Sequence, residues 1–379
     1  MSISIINEIL LTKGEAFTPT SISSTPDDQM IVTGSWVSAT PGIAIKLNKA
    51  GEISWTYRWK KETLMTPSAA DYLVGASVLP SGDILLCGND AIGDAAEPRN
   101  PRKVVFKSQF IKLKADGTFI QEIDVSPKNT SEIIRPRIEK CGRWGEGAYA
   151  FGWGYSTIDT SGQKNEGFWH YLWIIKTDSQ GKVVWERFIP TNIRIYKGFS
   201  TPQLLPDGNL VFAAVGNGKR LENGDNEATE LVVMSPDGTV KAQRQLFKAH
   251  ALVKRTTPEQ PLIVAPLRSN SLMYLDESLA TVKQHEIDKS VNAGFVHYLN
   301  GVNEFVVFSW SGGGGHTIRT VSKIDLTDGK VVQIVPGHNQ DEYMIMDAVA
   351  LNTHGTFAFV NSTTPSNEFA IGVTLIKLK

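Results

Sequence analysis

Lys46-Leu47-Asn48-Lys49-Ala50-Gly51-Glu52-Ile53-Ser54-Trp55 is the stretch that decides the fold. An apolar segment ends in Lys-Leu, an Asn opens a short polar link, a Gly closes it, and a second apolar segment begins. The phrase returns as Lys176-Thr177-Asp178-Ser179-Gln180-Gly181-Lys182-Val183-Val184-Trp185, and more loosely at Lys112–Ile120, Met234–Val240, Leu275–Val282 and Lys323–Val332. A strand–turn–strand unit recurring about every 40–65 residues is the signature of a repeat architecture.

A second turn signal alternates with the first. Its copies are Pro26–Gln29, Pro80–Asp83, Trp144–Gly147, Pro206–Asn209, Pro258–Pro261, Asn300–Asn303 and Asn352–Gly355. Pro, Asp, Asn and Gly supply fixed or positive φ and local side-chain hydrogen bonds at such sites. Each copy precedes a short apolar run, such as Met30–Val32, Ile84–Cys87 or Leu210–Ala214, which reads as a buried strand. Seven units result, with approximate bounds 15–61, 70–125, 131–190, 197–247, 250–288, 293–335 and 343–379. The last stops at Thr374–Lys379, before its fourth strand, and Ile3–Leu11 is the candidate to complete it. The expected fold is all-β: a single seven-bladed propeller in one domain, closed by the N-terminal strand, which removes an open sheet edge. A pair of plain β-sandwiches is the runner-up. Helices are not expected, because no long segment has a 3.6-residue apolar period. Asp90–Lys103, Ser156–Gly167 and Gly216–Ala228 read as long loop insertions in units two to four.

The two best copies resemble the tryptophan-docking repeat of quinoprotein-like propellers, and the Lys-Leu-Asp-x-x-Gly-x-x-x-Trp units of bacterial propellers. The resemblance implies that Trp55 and Trp185 pack, largely buried, against a neighbouring blade. It also implies that Gly51 and Gly181 make the turn into the outermost strand. Only two of the six copies keep Trp, and Cys87 and Cys141 are not adjacent as in the quinone enzymes, so no pyrroloquinoline quinone is expected.

Composition narrows the partners. Net charge is −1, hydrophobic residues are 41% and charged residues 20%, so neither nucleic acid nor an anionic membrane is favoured. No apolar stretch approaches a membrane span, and the N-terminus reads as a strand rather than a signal peptide. The expected location is cytoplasmic, or secreted without a recognisable signal. The two cysteines read as buried thiols, with a bridge between adjacent blades left open.

No cofactor or metal is expected. Glu222, Asp225 and Glu227 lack calcium-loop spacing, and the seven histidines form no His-x-His or His-Glu-x-x-His pattern. Trp310-Ser311-Gly312-Gly313-Gly314-Gly315-His316 is not a phosphate loop, since no Gly-Lys-Ser/Thr follows; Trp310 and His316 remain candidate contacts. Tyr155, Phe168 and Trp169 flank the third unit's insertion and are the best exposed aromatic candidates, whereas Tyr171 and Trp173 are assigned with Trp169 to inter-blade packing. A basic-aromatic cluster, Tyr57–Lys61, reads as a blade edge. Arg135, Arg137, His297 and Asp347, with Glu139, Lys254 and Arg255, lie on segments entering the units and are candidates for a central channel. The expected role is noncatalytic recognition of a protein partner through one face and the insertions of blades two to four. The alternatives are a carbohydrate-binding propeller and a hydrolase or lyase with a polar site at the channel.

Overall fold

The computed structural model describes residues 3–13, 17–36, 42–59, 72–92, 105–127, 133–158, 164–218, 227–255, 257–266, 271–287, 296–299, 304–311, 317–336, 343–351, 356–363 and 370–378. Every regular element among them is a strand. β1 is Ile3–Lys13. The first sheet holds β2 (Phe17–Ser24), β3 (Met30–Trp36), β4 (Gly42–Leu47) and β5 (Ile53–Trp59). The second holds β6 (Tyr72–Val78), β7 (Ile84–Ile92), β8 (Val105–Leu113) and β9 (Phe119–Asp124). The third holds β10 (Ile133–Trp144), β11 (Gly147–Ile158), β12 (Lys164–Thr177) and β13 (Val183–Pro190).

The fourth sheet runs β14 (Arg194–Phe199), β15 (Gln203–Leu204), β16 (Leu210–Asn217), β17 (Glu227–Met234) and β18 (Val240–Phe247), with β14 and β15 both pairing β16. The fifth holds β19 (His250–Leu252), β21 (Leu262–Pro266), β22 (Ser271–Leu275) and β23 (Thr281–Glu286); the short β20 (Lys254–Arg255) instead pairs in parallel with the next strand. That strand, β24 (Val296–Leu299), leads into β25 (Glu304–Ser311), β26 (Thr317–Asp325) and β27 (Val331–Pro336). Last come β28 (Tyr343–Ala350), β29 (Thr356–Thr363) and β30 (Ala370–Leu378), and β30 pairs with β1. Five separate sheets of four or five strands are thus present, β24–β27 and β28–β30 with β1 make two further groups of four, and the N-terminal strand supplies the strand missing from the last.

The chain divides into two compact units. The larger comprises Ser4–Thr157, Tyr171–Ile189 and Tyr343–Lys379; the smaller comprises Met1–Ile3, Ile158–His170 and Pro190–Glu342. Within each, the core is a succession of layers between facing sheets. In the larger unit, Ile31, Ala44 and Trp59 of sheet one meet Leu73, Ile84, Leu86 and Ile111 of sheet two. Leu85, Cys87 and Phe110 of sheet two meet Ile138, Ala150 and Trp173 of sheet three. In the smaller, Val211, Leu231 and Leu246 meet Leu252, Val264 and Leu275. Because a middle strand is covered on both faces, its apolar run is continuous rather than alternating: Met30, Ile31 and Val32 are all fully buried.

The repeated phrase folds into one kind of turn. In the first copy Asn48 N–H donates to the Glu52 carbonyl and Gly51 N–H to the Asn48 carbonyl, both at 2.9 Å. The same pair of bonds starts at Lys114, Asp178, Ser235 and Asp276, and with one extra residue at Asp325. Side-chain oxygens fix it further: Asn48 Oδ1 accepts from the N–H groups of Ala50 and Glu52, and Asp178 Oδ1 from those of Gln180 and Lys182, all at 2.9 Å. The turn needs one left-handed residue, and glycine has no Cβ to clash there. Gly51 and Gly181 have φ of 85° and 84°, while in sheet five Leu279 takes the place at 66°. The turns at Thr25–Gln29, Leu79–Asp83 and Leu205–Asn209 use the same bonds, so both joints share one geometry in the first, second and fourth units, whereas Trp144–Gly147 is a tighter two-residue turn. The expected turns at 300–303 and 352–355 lie outside the described residues.

Two readings change. The insertions of units two to four are in part strand: Ile92 pairs Val105, Asn217 pairs Glu227, and β11 and β12 run to Ile158 and from Lys164. Inter-strand hydrogen bonds extend these hairpins where polar composition suggested loops; residues 93–104, 159–163 and 219–226 lie outside the described residues. Cys87 and Cys141 are not free thiols but a disulfide, with Cα atoms 6.4 Å apart, joining β7 to β10. Gly75 makes room, since a Cβ there would lie 3.1 Å from Cys141 Sγ.

Candidate functional site

Where β7 faces β10, polar groups gather inside an otherwise apolar seam. Asn89 is fully buried on β7 and bonds the backbone of the next sheet twice. Its Nδ2 donates to the Ile138 carbonyl at 2.7 Å, and its Oδ1 accepts from Ile138 N–H at 2.9 Å and from Ser108 Oγ at 2.8 Å. A buried amide so satisfied costs little to bury and fixes register.

Beside it, Arg137 projects from β10. Its guanidinium carbon lies 4.3 Å from the Trp153 ring centroid and 5.8 Å from that of Phe106, so an aromatic from β11 and one from β8 flank the cation. Its Nε pairs with Glu139 Oε1 at 2.5 Å. The Arg137 side chain is 33% exposed and that of Glu139 23%. Burial raises the Glu139 carboxyl above its ordinary range, and the Arg137 charge opposes that shift. Burial likewise raises the Tyr72 phenol, with the Glu139 charge adding to it.

Three other ionisable side chains among the described residues bond the backbone. Arg255 donates to the carbonyls of Pro258 at 2.9 Å and Gln260 at 2.6 Å, and to that of Leu204. His250 Nδ1 lies 3.0 Å from the Lys248 carbonyl, and His170 Nδ1 accepts from Ile195 N–H at 2.8 Å. That last bond assigns the neutral His170 proton to Nε2. Among the described residues no three His, Cys, Asp or Glu side chains could hold a metal ion.

The expected residues fall as follows. Arg135 and Arg137 are on β10, His297 on β24 and Asp347 on β28, each the first strand of its group. Of these only the Arg137 side chain is described, and it sits in the aromatic clamp. Tyr155 is on β11, Phe168 and Trp169 on β12, and Trp310 on β25, but their side chains lie outside the described residues, as does the whole of His316. Trp173 is buried between sheets two and three, as the alternation of its strand implied. Sequence reasoning missed Tyr72, Asn89 and Phe106. The signal for Asn89 was a lone amide directly after the apolar run Ile84–Cys87 and Gly88.

No family model and no curated protein sequence matches the chain. Two solved structures are similar to it over nearly its whole length. The crystal structure of polysaccharide lyase Uly1 aligns with a TM-score of 0.58 at 8% identity, covering 99% of this chain and 100% of that one. The structure of the Dos1 propeller aligns at 0.54 and 9% identity, covering 98% and 94%. The fold is an all-β propeller. Its groups of four or five strands are the blades, and β1 pairs with β30 in the last. No described helix is long and apolar enough to cross a membrane.

Proposed function

We propose that this propeller is a noncatalytic recognition module that binds a partner protein, with the β11–β12 hairpin as part of the contact. One observation carries the reading. Among the described residues, Arg255 bonds three carbonyls, His170 and His250 bond backbone, and Glu139 is paired with Arg137. None of these stands as a nucleophile beside a base. The end of the hairpin past Ser156, the last β11 residue paired with β10, offers contact surface, and the hairpin carries Tyr155, Phe168 and Trp169, residue types suited to anchoring an interface. Replacing 156–167 with a tight turn tests this. The shortened protein should melt as wild type does and lose partner capture from the native source at least tenfold, about 1.4 kcal/mol.

A carbohydrate ligand or substrate is the second reading. Its support is the likeness to a polysaccharide lyase together with Arg137 beside Glu139, a cation next to a carboxyl of raised pKa. Release of unsaturated or reducing ends from acidic polysaccharides by the wild-type chain, abolished in Arg137→Lys, would replace the recognition reading.

A further inference from the structure

Arg137 is the described side chain that combines rigid placement with unspent hydrogen-bonding capacity. A guanidinium has five N–H donors in a fixed fork. The Nε lies 2.5 Å from Glu139 Oε1 as an ion pair without hydrogen-bond geometry, and among the described residues no hydrogen bond takes the four N–H groups on the two Nη atoms. The plane is held by Trp153 at 4.3 Å and Phe106 at 5.8 Å, and the side chain stays one-third exposed. Such a group has already lost the rotamer freedom that a surface arginine would lose on binding. The Nη edge matches the two oxygens of one carboxylate.

Position adds to this. Arg137 pairs across the ladder with Trp153, and Tyr155, two residues further along β11, pairs with Ile134. Arg137 therefore stands at the root of the β11–β12 hairpin. The Trp153 ring is 6% exposed and carries the guanidinium, so it is not open as a stacking platform for a sugar. That favours an acidic side chain on an extended peptide over the carboxylate of a sugar ring.

We propose that Arg137 is a carboxylate-receiving site, in which its two Nη groups bind an Asp or Glu side chain of a partner lying along β11. This rests on the recognition reading above. Glu139 holds the fork in place as an ion pair, and its own charge weakens the site for an anion.

The test is calorimetric titration of the full chain with hexaglutamate and, separately, with a galacturonate hexamer carrying the same number of carboxylates. Wild type should bind hexaglutamate saturably and more tightly than the sugar. Arg137→Lys keeps the charge but loses the fork and the stacking, so its affinity should fall at least tenfold. Glu139→Gln keeps the shape of the side chain beside Nε without the charge and should bind at least as tightly as wild type. Should Arg137→Lys fail to fold, Glu139→Gln and the two ligands decide the matter. No saturable binding of hexaglutamate, undiminished binding by folded Arg137→Lys, or weaker binding by Glu139→Gln overturns the site. Tighter binding of the galacturonate hexamer overturns its assignment to a peptide. Partner capture that depends on residues 156–167 but not on Arg137 would remove this inference alone and leave the recognition reading in place.

Discussion

The two strictest copies of the repeat, Lys46–Trp55 and Lys176–Trp185, share a turn and differ in what their tryptophans do. Trp55 reaches the next sheet: its Nε1 donates to the Ala115 carbonyl at 3.0 Å, and Lys46 Nζ donates to the same oxygen at 3.2 Å. A Cβ at Gly117 would lie 2.8 Å from the Trp55 ring, so the glycine of the second copy is also the seat for the tryptophan of the first. Trp185 instead meets Trp144 of its own sheet edge-on, with centroids 5.8 Å apart. Both rings are half-buried rather than largely buried as the resemblance implied, because the outermost strand leaves one side of each in solvent. The motif therefore dictates the turn, which is local chemistry, and not the partner of the tryptophan, which depends on the next sheet.

Other seams show what replaces the tryptophan. Lys112 Nζ of sheet two pairs with Asp83 at 3.2 Å and reaches Gln180 Oε1, in the turn of the third copy, at 3.3 Å. In the smaller unit Arg244 donates to the Leu279 carbonyl and to Thr281 Oγ1, in the turn and strand of the fifth copy. Each of these turns is seated on the preceding sheet by a different side chain.

The seams can be ranked by breaking them. The largest loss is expected at the seam of sheets two and three, where Cys87→Ser with Cys141→Ser removes a bridge between residues 54 apart in sequence. A disulfide is typically worth about 2–4 kcal/mol. Denaturant unfolding with and without a reductant should reproduce the loss in wild type and show no reductant effect in the double variant. At the seam of sheets one and two, Trp55→Ala should cost about 2 kcal/mol and Trp55→Phe about 1 kcal/mol, since the latter deletes chiefly the Nε1 bond to Ala115. A smaller effect is expected for Trp185: a double-mutant cycle with Trp144 should give about 0.5–1.5 kcal/mol of coupling. Zero coupling would mean that the edge-on contact contributes nothing.

Acid should weaken the turns themselves. Bonds from Ser235 Oγ and Thr239 N–H hold the Asp237 carboxyl down at about 2, and bonds from Ser278 and Ala280 hold Asp276 below its usual range. A carboxylate whose folded pKa is depressed contributes stability that is complete above its unfolded value and is lost as pH falls through the folded one. Stability should therefore hold above the ordinary carboxylate range, near 4, and decline toward pH 2. Asp237→Asn with Asp276→Asn should flatten that decline, read as the denaturant midpoint against pH.

Much of this was legible because turns and strands are written locally. Asn48, Asp178 and Gly181 announce a turn by what their own atoms can do, and the run Met30–Val32 announces a strand covered on both faces. The closing role of β1 could be read because the last unit lacked a fourth strand. The seam between sheets two and three was not legible. Phe106, Arg137 and Trp153 come from three strands in two sheets, and nothing in any one strand reveals that their registers coincide. Cys87 and Cys141 depend on the same register. Leu279 was hidden for another reason: a buried leucine at positive φ stands where the local rule asks for glycine, and its burial in the core beside Leu252 and Leu275 offsets the backbone cost.

The recognition claim is tested most directly by capturing partners from the native source with wild type and with the chain shortened at 156–167, under identical conditions, while assaying both for cleavage of acidic polysaccharides. The account predicts a protein retained by wild type, lost at least tenfold by the shortened chain, and no cleavage by either. Equal capture by both chains, or polysaccharide cleavage by wild type that Arg137→Lys abolishes, would contradict it.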